Sequence, residues 1–217
     1  WHKEAIMGNE ANDLKRLFPK GQIPVILSSV LQAGSTIRKK TERDREDRIT
    51  RRLYARLIKI PVLRDGPLLD IRMQPEIPSS DPDSDYPGGR IDILISCGRG
   101  AEVYFAIEAK RLRVRSSKGT LVSGSNGYVM AGMMRFVTGQ YAPFTDGGAM
   151  LGYVFDGKID PARSDVDRVV QNKALELKLK SPKQLTASNI LPYTPADETH
   201  HDLTKRSFVI YHIFLAV

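Results

Sequence analysis

Two neighbouring apolar segments carry charge where a buried strand tolerates none. Gly-Gly-Arg-Ile-Asp-Ile-Leu-Ile sets Asp92 inside the first, and Val-Tyr-Phe-Ala-Ile-Glu-Ala-Lys closes the second with Glu108 and Lys110. Ionised side chains avoid apolar surroundings unless they are paired or bind a metal. Two acids and a lysine are a set that holds a divalent cation and a water. Metal-dependent phosphodiester chemistry is therefore the first expectation.

The chain around these segments reads as one α/β unit. Its 217 residues contain no Gly/Ser/Pro linker between independent apolar patterns, which favours a single domain with a sizeable core. Residues 22–38 are loosely helical. A charged helix opens at Thr41, with Ile49, Leu53 and Leu57 on one face, and Pro61 ends it. Strands are expected over Leu68–Ile77, Arg90–Ser96, Val103–Lys110, Ala149–Phe155 and Ser207–Val217, with a turn at Gly98–Ala101. Further helices are expected from Tyr128, capped by Asn126, with Val129, Met133 and Phe136 on one face, and from Pro161 to about Lys178. Segments 78–87, 113–127 and 181–202 read as loops. Helices interleaved with strands imply a central sheet covered on both faces.

Strand alternation then arranges the charges. Glu108 and Lys110 share a side with Ala106, while Ile91, Ile93 and Ile95 form one face of the preceding strand and Asp92 stands on the other. Pairing of the two strands brings Asp92 beside Glu108. Carboxylates that close repel, and a cation between them relieves the repulsion. Mg²⁺ fits, because it accepts a few oxygens and keeps exchangeable waters.

Asp92, fifteen intervening residues and Glu108-Ala109-Lys110 resemble the PD-(D/E)XK, or restriction-endonuclease-like, nuclease superfamily. The resemblance covers about Thr41–Phe155, with the strand 207–217 as a further element of one domain over 1–217. It implies a mixed central β-sheet flanked by helices. The family's namesake proline is absent: Arg90-Ile91 precedes Asp92, and Gly89 to Asp92 follows the Gly-x-x-Asp variant. By this resemblance Asp92, Glu108 and the Ala109 carbonyl bind Mg²⁺ or Mn²⁺, and Lys110 orients or deprotonates the attacking water. The resemblance also implies a DNA substrate in preference to RNA, in restriction, anti-phage defence or repair. A homodimer, or a subunit of a larger complex, is consistent with it. The alternative is a catalytically silent nucleic-acid-binding subunit with the same fold.

Many members place an acid on the helix before the sheet. Asp44 with Arg48, and Asp47 with Arg51, are four apart and expected to pair on the solvent face. Glu42 and Glu46 lack such partners; Glu46, nearer the core contacts, is the expected third acid, with Glu42 as the alternative. For substrate contacts the run Arg111, Arg113, Arg115 and Lys118 leaves the site directly, with Gln140 as a further candidate.

Composition supports this reading without deciding it. Lysine and arginine outnumber acids 33 to 25, giving a net charge of +8 and a pI near 9.6, which suits a polyanionic partner. Cys97 is the only cysteine, so an internal disulfide and a cysteine zinc cluster are excluded and a cytoplasmic setting is expected. No apolar run reaches the ~20 residues of a membrane helix. Phosphate-loop, nucleophile-elbow and His-Glu-x-x-His motifs are absent, and His2, His200, His201 and His212 are too scattered for a zinc site.

Overall fold

A bent hairpin sets the geometry of everything that follows. The computed structural model describes residues 18–64, 69–79, 83–97, 103–191, 195–204 and 206–217. Within them strand β1 (Leu69–Met73) pairs antiparallel with β4 (Ile93–Cys97), and β2 (Glu76–Ile77) with β3 (Gly89–Arg90). Both ladders share one register, Met73 opposite Ile93 and Glu76 opposite Arg90, so no residue is inserted between them. The pair is instead kinked at Gln74-Pro75 against Ile91-Asp92, where Gln74 has a left-handed φ of 51° and Pro75 has no N–H to donate.

The kink corrects two expectations. The strand expected over Leu68–Ile77 is two strands, and the one over Arg90–Ser96 breaks at Asp92. Ile91 packs on one side of the sheet while Ile93 and Ile95 pack on the other. Leu68 and the Gly98–Ala101 turn lie outside the described residues.

The remaining strands complete a large mixed sheet. In order these are β5 (Tyr104–Leu112), β6 (Val114–Arg115), β7 (Leu121–Val122), β8 (Gly147–Val154), β9 (Thr186–Ala187), β10 (Ala196–Leu203) and β11 (Arg206–Ala216). The seven-stranded order is β1-β4-β5-β8-β11-β10-β9, with β5, β8 and β11 parallel and the other neighbours antiparallel. The parallel centre is buried on both faces, and every residue of β8 is inside.

Helices cover the two faces. Helix α1 (Gln22–Gly34) buries Ile23, Ile26, Leu27 and Val30, and α2 (Glu46–Leu57) buries Ile49, Leu53 and Leu57, all against Ile93, Ile95, Phe105 and Ile107. Each such side chain contributes about 1.5–3 kcal/mol by burial. Acids in the first turn of α2 and Arg56 in its last suit the helix dipole. Pro61 begins the short α3 (Pro61–Arg64), where a missing N–H costs nothing. On the other face lie α4 (Ser125–Tyr128), a π-helical turn (Val129–Met133), α5 (Met134–Val137) and α6 (Ile159–Asn172). Val129, Met133 and Phe136 are all buried there.

Three expectations are revised here. The helix after the basic segment starts at Ser125, with Gly124 rather than Asn126 at its N-cap. Residues 113–127 contain the β6–β7 hairpin. Residues 181–202 hold β9 and most of β10, whose buried positions include Thr199 and His201 and so escape an apolar-alternation reading.

Those polar residues are satisfied by a directed chain of hydrogen bonds. The Leu177 carbonyl accepts from His201 Nδ1 at 2.7 Å, which leaves His201 Nε2 to accept from the Thr199 hydroxyl at 2.8 Å. Thr199 Oγ1 in turn accepts from His212 Nε2 at 2.9 Å, and His212 Nδ1 accepts from the Tyr128 hydroxyl at 3.0 Å. These directions follow from burial, which keeps both imidazoles neutral; the Tyr128 hydroxyl has the Met150 carbonyl at 3.4 Å as a second acceptor.

Gly124 is required by its conformation. Its φ is 77°, and a Cβ there would run into the Arg111 carbonyl oxygen. Gly124→Ala is expected to destabilise the protein by about 2 kcal/mol, read as a lower denaturant midpoint at unchanged slope. An unchanged midpoint would refute that.

Candidate active site

The kinked hairpin opens a notch beside β5. The β4–β5 ladder runs only from Ser96 opposite Tyr104 to Ile93 opposite Ile107. Beyond it β5 continues to Leu112 paired with β8 alone. The edge that β4 abandons exposes the N–H groups of Ala109 and Arg111, and unpaired backbone donors are costly. Two acids take the place of the missing strand. Asp92 Oδ2 accepts from Ala109 N at 2.8 Å, and Glu46 Oε2 accepts from Arg111 N at 3.0 Å. Residues 109 and 111 turn their backbone groups the same way, so the Ala109 carbonyl also faces the notch.

The charged side chains of β5 fill this opening. Glu108 and Lys110 lie on the sheet face of α4–α6, yet Lys110 reaches round the uncovered edge to Glu46 on the other face. Lys110 Nζ lies 2.5 Å from Glu108 Oε1, 3.2 Å from Glu46 Oε1 and 2.9 Å from the Ala109 carbonyl oxygen. Glu46, Asp92, Glu108 and Lys110 are thus brought together. Glu42 is not among them, being exposed and 3.2 Å from Lys39.

Arg135 and Tyr141 are members that sequence reasoning missed. Arg135 Nη1 donates to Glu108 Oε1 at 3.1 Å and to the Tyr141 hydroxyl, and its guanidinium stacks on the Tyr141 ring at 5.2 Å. Tyr141 in turn donates to the Arg90 carbonyl at 2.7 Å, tying α5's end to the kinked hairpin. The π-turn re-phases the following helix, so that Arg135 meets Glu108 while Phe136 stays in the core. No linear spacing signals that contact.

Burial makes the electrostatics strong. The Glu108 side chain is 2% exposed, and its Oε2 is buried without a hydrogen-bond partner. Burial and the Asp92 carboxylate raise the Glu108 carboxyl to about 7, against the pull of Lys110 and Arg135. Burial also raises Glu46, opposed by Lys110 and reinforced by Asp92. For Lys110 burial acts downward, but Glu108 and Glu46 outweigh it and hold the ammonium protonated at neutral pH.

Among the described residues no three Asp, Glu, His or Cys side chains converge as a ready cage for a metal ion. Hard oxygens are instead gathered here from Asp92, Glu108 and the Ala109 carbonyl, and Glu108 Oε2 is a buried acceptor without a hydrogen-bond partner. A sparse oxygen set suits a cation that retains several waters, as Mg²⁺ does.

The proposed substrate-contact residues are dispersed. Arg111 donates to the Asp44 carbonyl at 3.0 Å and lies over the Phe155 ring. Arg113 is committed to Asp156 at 2.8 Å and Asp165 at 3.3 Å, with its side chain 13% exposed. Arg115 and Lys118 are exposed on the β6–β7 hairpin, where Arg115 donates to the Gly119 carbonyl at 3.2 Å. Gln140 donates to the Gly88 carbonyl at 2.5 Å and helps hold the kinked hairpin. His201 and His212 belong to the core, and Arg206 is anchored on the Ala142 and Thr145 carbonyls.

Two depressions flank the notch. One, of about 300 Å³, is polar and includes Arg45, Gln74, Arg90 and Asp92; the other, of about 370 Å³, includes Lys110, Val114, Val122 and Gly127, and both share Glu46 and Arg111. A larger depression of about 410 Å³ lies elsewhere, near Phe18, Phe105 and Tyr211. Its charges are already engaged, Lys20 with Asp146 and Arg206 with carbonyls. Among the described residues no helix is long and apolar enough to cross a membrane. No protein-family model, curated protein or solved structure matches this chain.

Proposed function

We propose that the chain is a Mg²⁺- or Mn²⁺-dependent nuclease with a restriction-endonuclease-like fold, hydrolysing phosphodiester bonds in DNA. One observation carries the reading: Glu108 is a buried carboxylate with an unpartnered oxygen, its other oxygen 2.5 Å from Lys110 and its carboxyl raised by the nearby Asp92, while Lys110 and Asp92 themselves line two depressions open to solvent. Asp92 and Glu46 have a structural use as strand-edge acceptors; the free oxygen of Glu108 has none. The order α2, β1, β4, β5, α5, β8 also follows the helix, three strands, helix, strand arrangement of that fold.

In this reading Asp92, Glu108 and the Ala109 carbonyl hold the cation. When bound, the cation polarises the scissile phosphate and lowers the pKa of its water. Lys110, kept protonated by Glu108 and Glu46, orients the water by donating to it and offsets charge that develops on the phosphate oxygens. A protonated ammonium disfavours the role of general base for Lys110. Glu46 positions Lys110 and stiffens the β5 edge through Arg111 N. Arg135 holds Glu108 by donating to Oε1, the same oxygen that Lys110 contacts.

Circular and linear DNA incubated with the protein should be cleaved with Mg²⁺ and remain intact with chelator, and Mn²⁺ titration should release or absorb heat. Intact DNA under both conditions, with no calorimetric signal, would instead favour the silent nucleic-acid-binding subunit.

A further inference from the structure

Helix α2 presents a face on which Arg52 and Arg56 are held by the fold, while Arg48 and Arg51 belong neither to its ion pairs nor to the notch. Its sequence and the residues before it contain Arg43, Arg45, Arg48, Arg51, Arg52 and Arg56, against Asp44, Glu46 and Asp47. Glu46 belongs to the notch. Asp44, expected to pair with Arg48 on the solvent side, is instead buried with its carboxylate 2.6 Å from Arg52 and accepting from Lys40 N at 2.7 Å. Asp47, expected to pair with Arg51, lies 3.5 Å from Arg45. Arg48 and Arg51 are left exposed with no ion-pair partner among the described residues.

The cations surround a hollow. Lys40, Arg48, Arg51, Arg52 and Arg56 line a depression of about 380 Å³ whose one acid is Asp44, already engaged by Arg52. Arg52 Nε, moreover, is buried without a hydrogen-bond partner. Like charges at i,i+3 and i,i+4 spacing, as Arg48 stands to Arg51 and Arg52, repel by about 0.2–0.5 kcal/mol per pair. A solvated helix face ordinarily interleaves the two signs and avoids that cost. Guanidinium groups converging on a hollow match phosphate, which they bind through paired N–H donors.

We propose that the arginine face of α2, centred on Arg48 and Arg51, is a docking surface for a nucleic-acid backbone that leads a strand toward the notch. Arg45 and Glu46, at the N-terminus of the same helix, line the polar depression with Arg90 and Asp92. From Glu46 to Arg51 the helix advances about 8 Å at 1.5 Å per residue. One strand of a duplex running along it sets about two phosphates in that distance. The direction toward the notch rests on the nuclease reading; the docking surface itself does not.

The test is fluorescence anisotropy of the full chain with a short labelled DNA duplex, in chelator, across a salt series. Arg48→Glu/Arg51→Glu is expected to weaken binding by about tenfold or more and to lower the slope of log K against log salt by about 2. Lys178→Glu/Lys183→Glu makes the same change in net charge beside β10 and β9, at the other side of the sheet, and should shift affinity less than about twofold. Equal weakening by both doubles, or none by the first, overturns the proposal. So does loss of binding to phosphatidylserine vesicles with oligonucleotide binding intact. Arg48→Gln/Arg51→Gln, checked by circular dichroism, serves if the acidic double does not fold. DNA that is never cleaved with Mg²⁺, with the anisotropy pattern as expected, removes the nuclease reading and leaves the docking surface. Cleavage with unaltered anisotropy removes the docking surface alone.

Discussion

Glu108→Ala is expected to reduce Mg²⁺-dependent DNA cleavage by a factor on the order of 10²–10³, a size seen when one preorganised electrostatic group is lost. Of the three acids it gives the cleanest reading. Asp92→Ala also strips Ala109 N of its acceptor and Glu46→Ala does the same to Arg111 N, each adding about 1–3 kcal/mol of destabilisation. Glu108 satisfies no backbone donor, and its side chain is inside with one oxygen unpartnered. Removing it leaves Lys110 paired with Glu46 at 3.2 Å. The variant should therefore stay folded while losing activity.

The same variant should change the pH dependence of stability in the metal-free protein. The Glu108 carboxyl is raised to about 7 from 4.5, so the folded state holds its proton more tightly than the unfolded chain. That contribution is complete below about pH 4.5 and is lost as pH rises through about 7. Glu108→Ala should remove this gain on acidification, so that melting temperature falls more steeply from pH 7 to 4.5 than in the parent protein, where the buried imidazoles act with the opposite sign. Cleavage within about threefold of the parent protein would sink the assignment of Glu108.

Acidification should unfold the protein through the opposite sign. Burial lowers His201 to about 4, against the pull of the Leu177 carbonyl, and His212 to about 3 from 6.5, with His201 and Arg163 disfavouring a further positive charge at His212. The unfolded chain binds protons at both imidazoles that the folded chain refuses. Stability is thus complete above about pH 6.5 and falls as pH drops toward 4. Two protons correspond to roughly 2–3 kcal/mol per pH unit, of which the proton held by Glu108 offsets about half down to about pH 4.5; the full slope is expected in Glu108→Ala. For a protein of ordinary stability the uncompensated slope of Glu108→Ala is enough to unfold it near pH 4–5, and the parent protein loses about half as much over the same range. The hydrogen-bond chain supplies a structural reason: protonating His212 Nδ1 or His201 Nε2 turns an acceptor into a donor facing a hydroxyl already committed to donate. Thr199→Val should leave two nitrogens without their buried partner and destabilise the protein even at neutral pH. A melting temperature flat between pH 6.5 and 4.5 would show that the imidazoles are not the titrating groups.

Much of this architecture was legible in the order of the residues. The spacing of Ile49, Leu53 and Leu57 marked α2, alternating and continuous apolar runs marked β4, β5, β8 and β11, and interleaved helices and strands implied the covered mixed sheet. The strand β10 was not legible because two of its inward positions are Thr199 and His201. A polar residue reads as exposed unless its partner is known, and beyond each other their partners are Leu177 and His212. The pairing of Asp44 with Arg48 failed for a related reason. Four-residue spacing assumes a helix already begun, whereas α2 starts at Glu46 and leaves Asp44 free to turn inward to Arg52.

The sequence by itself determined which residue types meet in the charged centre: acids and a lysine on apolar strands have few places to go, since burial without partners is too costly. Tertiary structure decided how they meet. The expectation that Asp92 projects from the face of a straight strand was replaced by a kink that aims it along the sheet edge at Ala109 N. That same kink withdraws β4, exposes the β5 edge and lets Lys110 bridge acids from both faces. Arg135 enters from a helix re-phased by a π-turn. Local patterning reports which side of its own element a residue prefers. Where two elements part is set by their packing against everything else, and the charged notch exists because β4 and β5 part.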